Sequence, residues 1–239
     1  MIVYPERWKL NYDAFAKSLG SEKFNKIEFI NILEKILSKF DVKHLAYSGG
    51  IDSTLMLVMM KKVYGQINTY TISSRENHPD IHFSRLGVEK YGTNHLEFIV
   101  APNHSEIDVF PGDNAVRQLF ENVSNYTNKI ICCDGIDEFM CGYYDHMKLD
   151  FNIYEYYLSR LLPDHLIPLN QISQHVNVFL PYLDKKIVDK LSNVYYYYKV
   201  DKENRKKLMS STAEYLGIPK EIIYRNKYGF CDAFIERNK

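Results

Sequence analysis

The sequence predicts an α/β fold, a parallel sheet with helices on both faces, followed by a helical C-terminal part. Three observations predict it. Apolar runs of strand length at residues 42–47, 67–72, 95–100 and 129–133 recur every 25 to 35 residues, with helical patterns between them. Polar turns at 48–53, 73–77 and 134–138 follow three of these runs, and in such sheets ligands bind outside the carboxyl ends of the strands. Beyond about residue 150 the strand pattern fades and proline-punctuated helical segments take over.

Composition bounds the function. The 239 residues suit one large domain, or a medium one with a smaller companion. The expected division is an N-terminal arm (1–25), an α/β core (26–150) and a helical part (151–239). Hydrophobic residues at 46% and charged residues at 25% exclude a disordered or fibrous chain. Thirty basic and thirty acidic residues give a net charge of zero, which argues against a broad nucleic-acid or anionic-membrane surface. Residues 1–7 lack the basic-then-apolar layout of a signal peptide, and no apolar run approaches a membrane span. Cys132, Cys133, Cys141 and Cys231 form no Cys-x-x-Cys pair, so neither a zinc ribbon nor a redox dithiol is suggested. Reduced thiols in a cytoplasmic protein are the expectation.

The elements follow in order. Residues 1–25 are mixed and read as an irregular arm. Ile27, Ile30, Leu33, Ile36 and Leu37 recur at helical spacing over 26–39. The run 42–47 is the first core strand. Residues 54–64, with Leu55, Met56, Leu57, Val58, Met59 and Met60, are apolar nearly all round and predict a deeply buried helix. Strand 67–72 leads to a helix opened by Pro79 and closed by Gly92. Strand 95–100, a helix over 114–126 and strand 129–133 complete the core. Helices are predicted over 151–162, 185–192 and 203–216. The tract 195–198 is four tyrosines, read as a packed segment rather than a base-stacking platform because no Lys/Arg cluster surrounds it.

The most informative stretch is Tyr47-Ser48-Gly49-Gly50-Ile51-Asp52-Ser53-Thr54. A Ser-Gly-Gly turn between strand and helix gathers bare backbone N–H groups at a helix N-terminus, a geometry suited to phosphate oxygens. Asp52 repels phosphate on its own and makes sense with a divalent cation between them. Asp137, just past the fourth strand, is the natural second carboxylate, and two carboxylates at one sheet edge need a cation to offset their repulsion. His78, His82 and His95 fit no metal-ligand spacing and read as capping or exposed residues.

Ser48-Gly49-Gly50-x-Asp52-Ser53 resembles the signature of the PP-loop ATP pyrophosphatases, whose fold is the HUP-like, adenine nucleotide alpha hydrolase-like sheet. Three further stretches resemble the synthetase domain of the asparagine synthetase family: Asp134-Gly135-Ile136-Asp137-Glu138 with Gly142-Tyr143, Leu180-Pro181-Tyr182-Leu183-Asp184-Lys185, and the closing Lys206-Lys207-Leu208, Gly217-Ile218-Pro219 and Arg225-x-Lys227-x-x-Phe230. The resemblance runs from about residue 26 to the end. The family's glutaminase domain has no counterpart here, so the expectation is a synthetase unit without its own glutaminase. Where the family carries a Glu and an Arg before Pro-Phe-Leu-Asp, this chain has Asn177 and Phe179, and the usual Arg after Leu208 is replaced by Met209.

The resemblance implies ATP and Mg²⁺ as cofactors and an AMP- and pyrophosphate-forming amide ligase, with aspartate as default substrate and another carboxylate as the alternative that Asn177 and Phe179 raise. It assigns Ser48, Gly49, Gly50, Asp52, Ser53 and Gly135 to ATP and its pyrophosphate, and Asp52 and Asp137 to the metal. Leu45, Ala46 and Ile72 fall to adenine and ribose. Lys227, supported by Arg225, stands near the α phosphate, and Asp134 contacts the reacting substrate. The implied partners are a small carboxylate and an amine or ammonia, the latter free or delivered by a separate glutaminase subunit. Homo-oligomerisation stays open. Two other classes are weighed: a PP-loop enzyme modifying tRNA or a nucleobase, and a non-catalytic ATP-binding subunit. Zero net charge opposes the first, and the retained Asp52, Asp137 and Lys227 oppose the second.

Overall fold

The computed structural model describes residues 1–16, 19–110, 112–227 and 233–234. Tyr228, Gly229 and Phe230 of the closing motif, and Cys231, lie outside the described residues. Among the described residues six parallel strands form one sheet: β1 (Ile2–Tyr4), β2 (His44–Ala46), β3 (Asn68–Ser73), β4 (Asn94–Ile99), β5 (Lys129–Ile131) and β6 (Asn177–Phe179). Their order is β1-β6-β5-β2-β3-β4. The order runs outward in opposite directions from the β5–β2 pair, which is therefore the topological switch point.

Helices surround the sheet. α1 (Lys26–Leu37) is capped by the Asn25 side chain, which accepts from the amides of Ile27 and Glu28 at 3.0 and 3.2 Å. It packs on α2 (Ile51–Tyr64), whose Leu55, Met56, Leu57, Met59 and Met60 are fully buried. Each such side chain removed from water contributes roughly 1.5–3 kcal/mol. α3 (Pro79–Tyr91) opens on His78, whose ring accepts from the Asp80 amide at 3.1 Å, so His78 caps a helix. α4 (Asp113–Val123) packs on β3, and the short α5 (Ile136–Phe139) follows β5.

The second half is mostly helical: α6 (Phe151–Arg160), α7 (Ile167–Ile172), α8 (Lys185–Asn193), α9 (Tyr196–Lys199), α10 (Lys207–Tyr215) and α11 (Lys220–Ile223). A wide π-helical turn, Leu161–Leu166, joins α6 to α7 around Pro163. In the tyrosine tract Tyr196 is buried against Phe151 and Tyr154, while Tyr197 and Tyr198 are exposed.

Two elements depart from the sequence reading. Residues 1–25 are not an irregular arm, because β1 forms a sheet edge and Trp8 and Tyr12 are buried. The helical part also contributes to the sheet, with β6 lying between β1 and β5. Both strands have three residues, too few for a period-two pattern, and pairing with distant partners decides them. Asn177 and Phe179 lie on β6, where Phe179 packs against Tyr4 and Phe40.

Candidate active site

A cavity of 820 Å³ opens at the carboxyl ends of β2 and β5, at the switch point. Its floor is the loop between β2 and α2. Gly49 has φ +67°, and a side chain there would overlap the backbone of Phe83 and Ser84 in α3. The glycine therefore lets the loop lie against α3. Gly50 is the N-cap of α2 and supplies no side-chain acceptor. Its amide donates to Ser48 Oγ at 3.3 Å, and Ser53 Oγ donates to its carbonyl at 3.2 Å. First-turn amides without a side-chain cap, flanked by two hydroxyls, form an anion cradle. Tyr182, fully buried after β6, donates its hydroxyl to the Asp52 carbonyl at 3.0 Å and ties the cradle to the second half of the chain.

Above the cradle a buried ammonium joins two carboxylates. Lys206 Nζ donates to Asp52 Oδ2 and lies 2.5 Å from Asp137 Oδ1, and Lys227 Nζ lies 3.0 Å from Asp137 Oδ2. Burial alone would raise the Asp137 carboxyl, but Lys206 and Lys227 outweigh it and hold the group well below the usual carboxylate range. Burial likewise works against the Lys206 ammonium, and Asp137 and Asp52 outweigh it. Asp137 and Lys206 are therefore charged at neutral pH. Gly142 makes the approach possible, since a Cβ there would overlap the Asp137 carboxylate and the Lys206 side chain. The Gly142 carbonyl also accepts from Arg205 Nη1 at 3.0 Å.

Arg225 borders the cradle from the other side. Its Nη2 donates to the buried Asp80 at 2.9 Å, its guanidinium lies 4.9 Å from the Phe83 ring centre, and its Nη1 is buried without a hydrogen-bond partner among the described residues. Deeper in the cavity stands Asp134, whose carboxyl is pushed up to about 6 chiefly by burial. Glu138 is also buried and accepts from the Tyr143 hydroxyl at 2.6 Å, with His165 Nε2 3.9 Å away. Lys227 Nζ rides 4.1 Å above the Tyr143 ring.

An anion cradle, a carboxylate pair with lysines and an acidic wall thus share one cavity. The model of the asparagine synthase family matches residues 40–111 and 152–237, well over half of the chain. The chain belongs to the asparagine synthase family. The family is one of ATP-using synthetases. The structure is similar to that of NMN synthetase from Francisella tularensis, at 15% identity and a TM-score of 0.45, covering 87% of this chain and 78% of that one. No curated protein matches the chain. Among the described residues no helix is long and apolar enough to cross a membrane.

Most residues singled out from the sequence meet here. Ala46, Ser48, Gly50, Asp52, Ser53, Asp134, Gly135, Asp137, Arg225 and Lys227 all line the cavity. Gly49 does not, being turned against α3. Leu45 and Ile72 are fully buried in the sheet and do not line it either. The end of β3 beyond Ile72 is covered, with Ser73 Oγ and the Ser74 amide donating to the Ala233 carbonyl at 3.2 and 3.1 Å. Asp184 caps α8 and accepts from Tyr4, bracing β1 rather than facing the cavity. Asn177 and Phe179 are likewise outside it. Lys206, Gly142 and Tyr182 are the residues to which sequence reading gave no role, although all three stand inside the family-like stretches.

The metal that the family resemblance implies can be tested on these side chains. Oδ1 of Asp52 is buried and lacks a hydrogen-bond partner among the described residues, Oδ1 of Asp137 faces the Lys206 ammonium, and both carboxylates border the cavity. Hard oxygen donors in a pair, with phosphate oxygens to complete an octahedron, fit Mg²⁺.

Proposed function

We propose that this protein is an ATP-dependent, AMP- and pyrophosphate-forming amide ligase. A carboxylate is adenylated and an amine or ammonia then displaces AMP. The observation that carries the reading is the Lys206–Asp52–Asp137–Lys227 network set over the Ser48–Ser53 cradle.

In the first step a carboxylate oxygen of the substrate attacks the α phosphorus. The bond from that phosphorus to the bridging oxygen breaks, and pyrophosphate leaves with the electron pair. The amides of the α2 first turn, the hydroxyls of Ser48 and Ser53 and the free Arg225 Nη1 hold the departing phosphates. Lys227 stands where negative charge grows on the α phosphate, so its ammonium binds the transition state more strongly than the ground state. Asp137 orients Lys227, and Lys206 keeps Asp137 and Asp52 from repelling each other. Asp52 and Asp137 would hold Mg²⁺, which supplies further neutralisation of phosphate charge.

In the second step the nitrogen attacks the acyl carbon, and the bond from that carbon to the AMP oxygen breaks. The nitrogen must lose a proton, and Asp134, raised to about 6, is ionised at neutral pH yet basic enough to accept it. The test is isotopic. With an ¹⁸O-labelled carboxylate, one label should appear in AMP. Release of ADP with unlabelled nucleotide would remove the proposal.

A further inference from the structure

The cavity is strongly divided in charge. Its lysines and arginines, Arg205, Lys206, Arg225 and Lys227, are gathered around the cradle and the Asp52–Asp137 pair. The lobe formed by Asp113 and Val116 of α4, Glu138 of α5 and Leu169 and Ile172 of α7, with Asp134, carries no lysine or arginine of its own among the described lining residues, and Lys227 lies over Tyr143, whose hydroxyl donates to Glu138. Among the described residues Asp113 accepts from the amides of Val109 and Phe110, at 2.9 and 2.8 Å. His165 Nε2 lies 3.9 Å from Glu138 Oε1. Asp164, on the same turn, is already paired with Arg160 at 2.6 Å.

A second, independent observation points to a ligand. Glu138 is only 2% exposed and lines this lobe, and its Oε2 has no hydrogen-bond partner among the described residues. A buried carboxylate oxygen left without a donor is costly, and a bound N–H⁺ group would relieve that cost. The lobe also comes largely from residues 112–151, which the asparagine synthase model leaves unmatched.

We propose that the acyl substrate is a monocarboxylic acid bearing a primary ammonium group on an apolar spacer. Its ammonium sits on Glu138, with Asp113 alongside, and its spacer lies against Val116, Leu169 and Ile172. A second carboxylate, such as aspartate carries, meets the like charges of Glu138 and Asp113 there. This inference rests on the ligase reading above and names the substrate class for it.

The test is ATP–pyrophosphate exchange with Mg²⁺, using 4-aminobutyrate, 6-aminohexanoate, hexanoate and aspartate as probes. Exchange should be supported by the amino acids with the terminal ammonium, with kcat/KM at least about tenfold above hexanoate and aspartate. Glu138→Gln keeps the shape and the Tyr143 contact, and should raise KM for 6-aminohexanoate about tenfold while leaving KM for ATP unchanged. Should Glu138→Gln fail to fold, Asp113→Asn, at a less buried position, should narrow the same preference. Exchange led by aspartate, or an amino-over-plain preference untouched in the folded variants, overturns this inference and leaves the ligase reading standing. Absence of exchange with every acid, accompanied by ADP formation, overturns both.

Discussion

The Lys206 ammonium lies 2.5 Å from Oδ1 of Asp137, on a residue whose backbone adopts φ +54°. A non-glycine residue in that region stores strain of order 1–3 kcal/mol. The ion pair with Asp137 and Asp52 offsets it. Lys206→Met should therefore abolish turnover and lower stability by roughly 3–5 kcal/mol, because two buried carboxylates lose their shared partner. The pH dependence has a definite sign. The Asp137 carboxyl is depressed in the folded protein, so the stability it contributes is fully present above about pH 4 and is lost as pH falls below it. Urea unfolding at pH 7 and pH 3 should show that loss in the wild type and a much smaller one in Lys206→Met.

Lys227 touches the same carboxylate and, in the proposed reaction, faces the α phosphate. Lys227→Ala should cut kcat by about 10²-fold or more, with a smaller effect on KM for ATP. Steady-state pyrophosphate release measures both. An unchanged kcat would place the lysine outside the chemistry.

Gly142 is a packing requirement of the site rather than a flexible joint. In Gly142→Ala the new methyl must displace the Asp137 carboxylate and the Lys206 side chain, and misplacement of that kind should cost about 10²-fold in turnover. Gly217→Ala is the control. It has a positive φ of +71° and open space around it, so it should lose about 1 kcal/mol of stability and keep its rate.

Asp134 gives the reaction an acid limb. Its carboxyl, raised to about 6, protonates as pH falls through that value, and the rate of amide formation should fall with it. Asp134→Asn should flatten the limb and lower kcat by about 10²–10⁴-fold. A pH–rate profile of both proteins decides it.

Lys199 is buried, donates to the Tyr154 hydroxyl at 2.9 Å, and is lowered by burial to about 8. In the folded state it loses its proton earlier than in the unfolded state. The unfolded chain then binds more protons between pH 8 and 10.5, so this group makes stability rise with pH across that window. The cost carried at pH 7 is of order 3 kcal/mol. Lys199→Met should recover part of it, seen as a higher urea midpoint at pH 7 and a flatter stability profile above pH 8.

What the sequence disclosed about the site follows from how near the interacting residues are along the chain. Ser48 to Ser53 form one continuous turn, and Asp134 to Glu138 form another, each directly after a strand, so their types and spacing already describe a local geometry. Lys206 meets Asp52 from the far half of the chain, and nothing in its own neighbourhood marks a lysine for burial. Gly142 gives no sign either, because its importance is steric and lies in side chains that only the folded chain brings to it. Glu138 could be read equally as a charge favouring its helix N-terminus until its burial is known. The sheet was legible in its centre for the same reason. The apolar runs ending in β2, β3, β4 and β5 are long enough to show themselves, whereas β1 and β6 are recognisable only as each other's partners.

That last pairing bears on the order in which the protein takes shape during synthesis. Ile2 pairs in register with Val178, whose amide donates to the Met1 carbonyl, so β1 leaves the ribosome long before its neighbour β6. Until β6 emerges, the apolar face of β1 and the buried Trp8 have nowhere to dock, and the β5 edge stays open. Closing so long a loop carries an entropic cost that only the finished sheet repays. Between the synthesis of β1 and that of β6 the nascent chain therefore exposes an unpaired strand edge, and this is the interval in which chaperone capture would matter most.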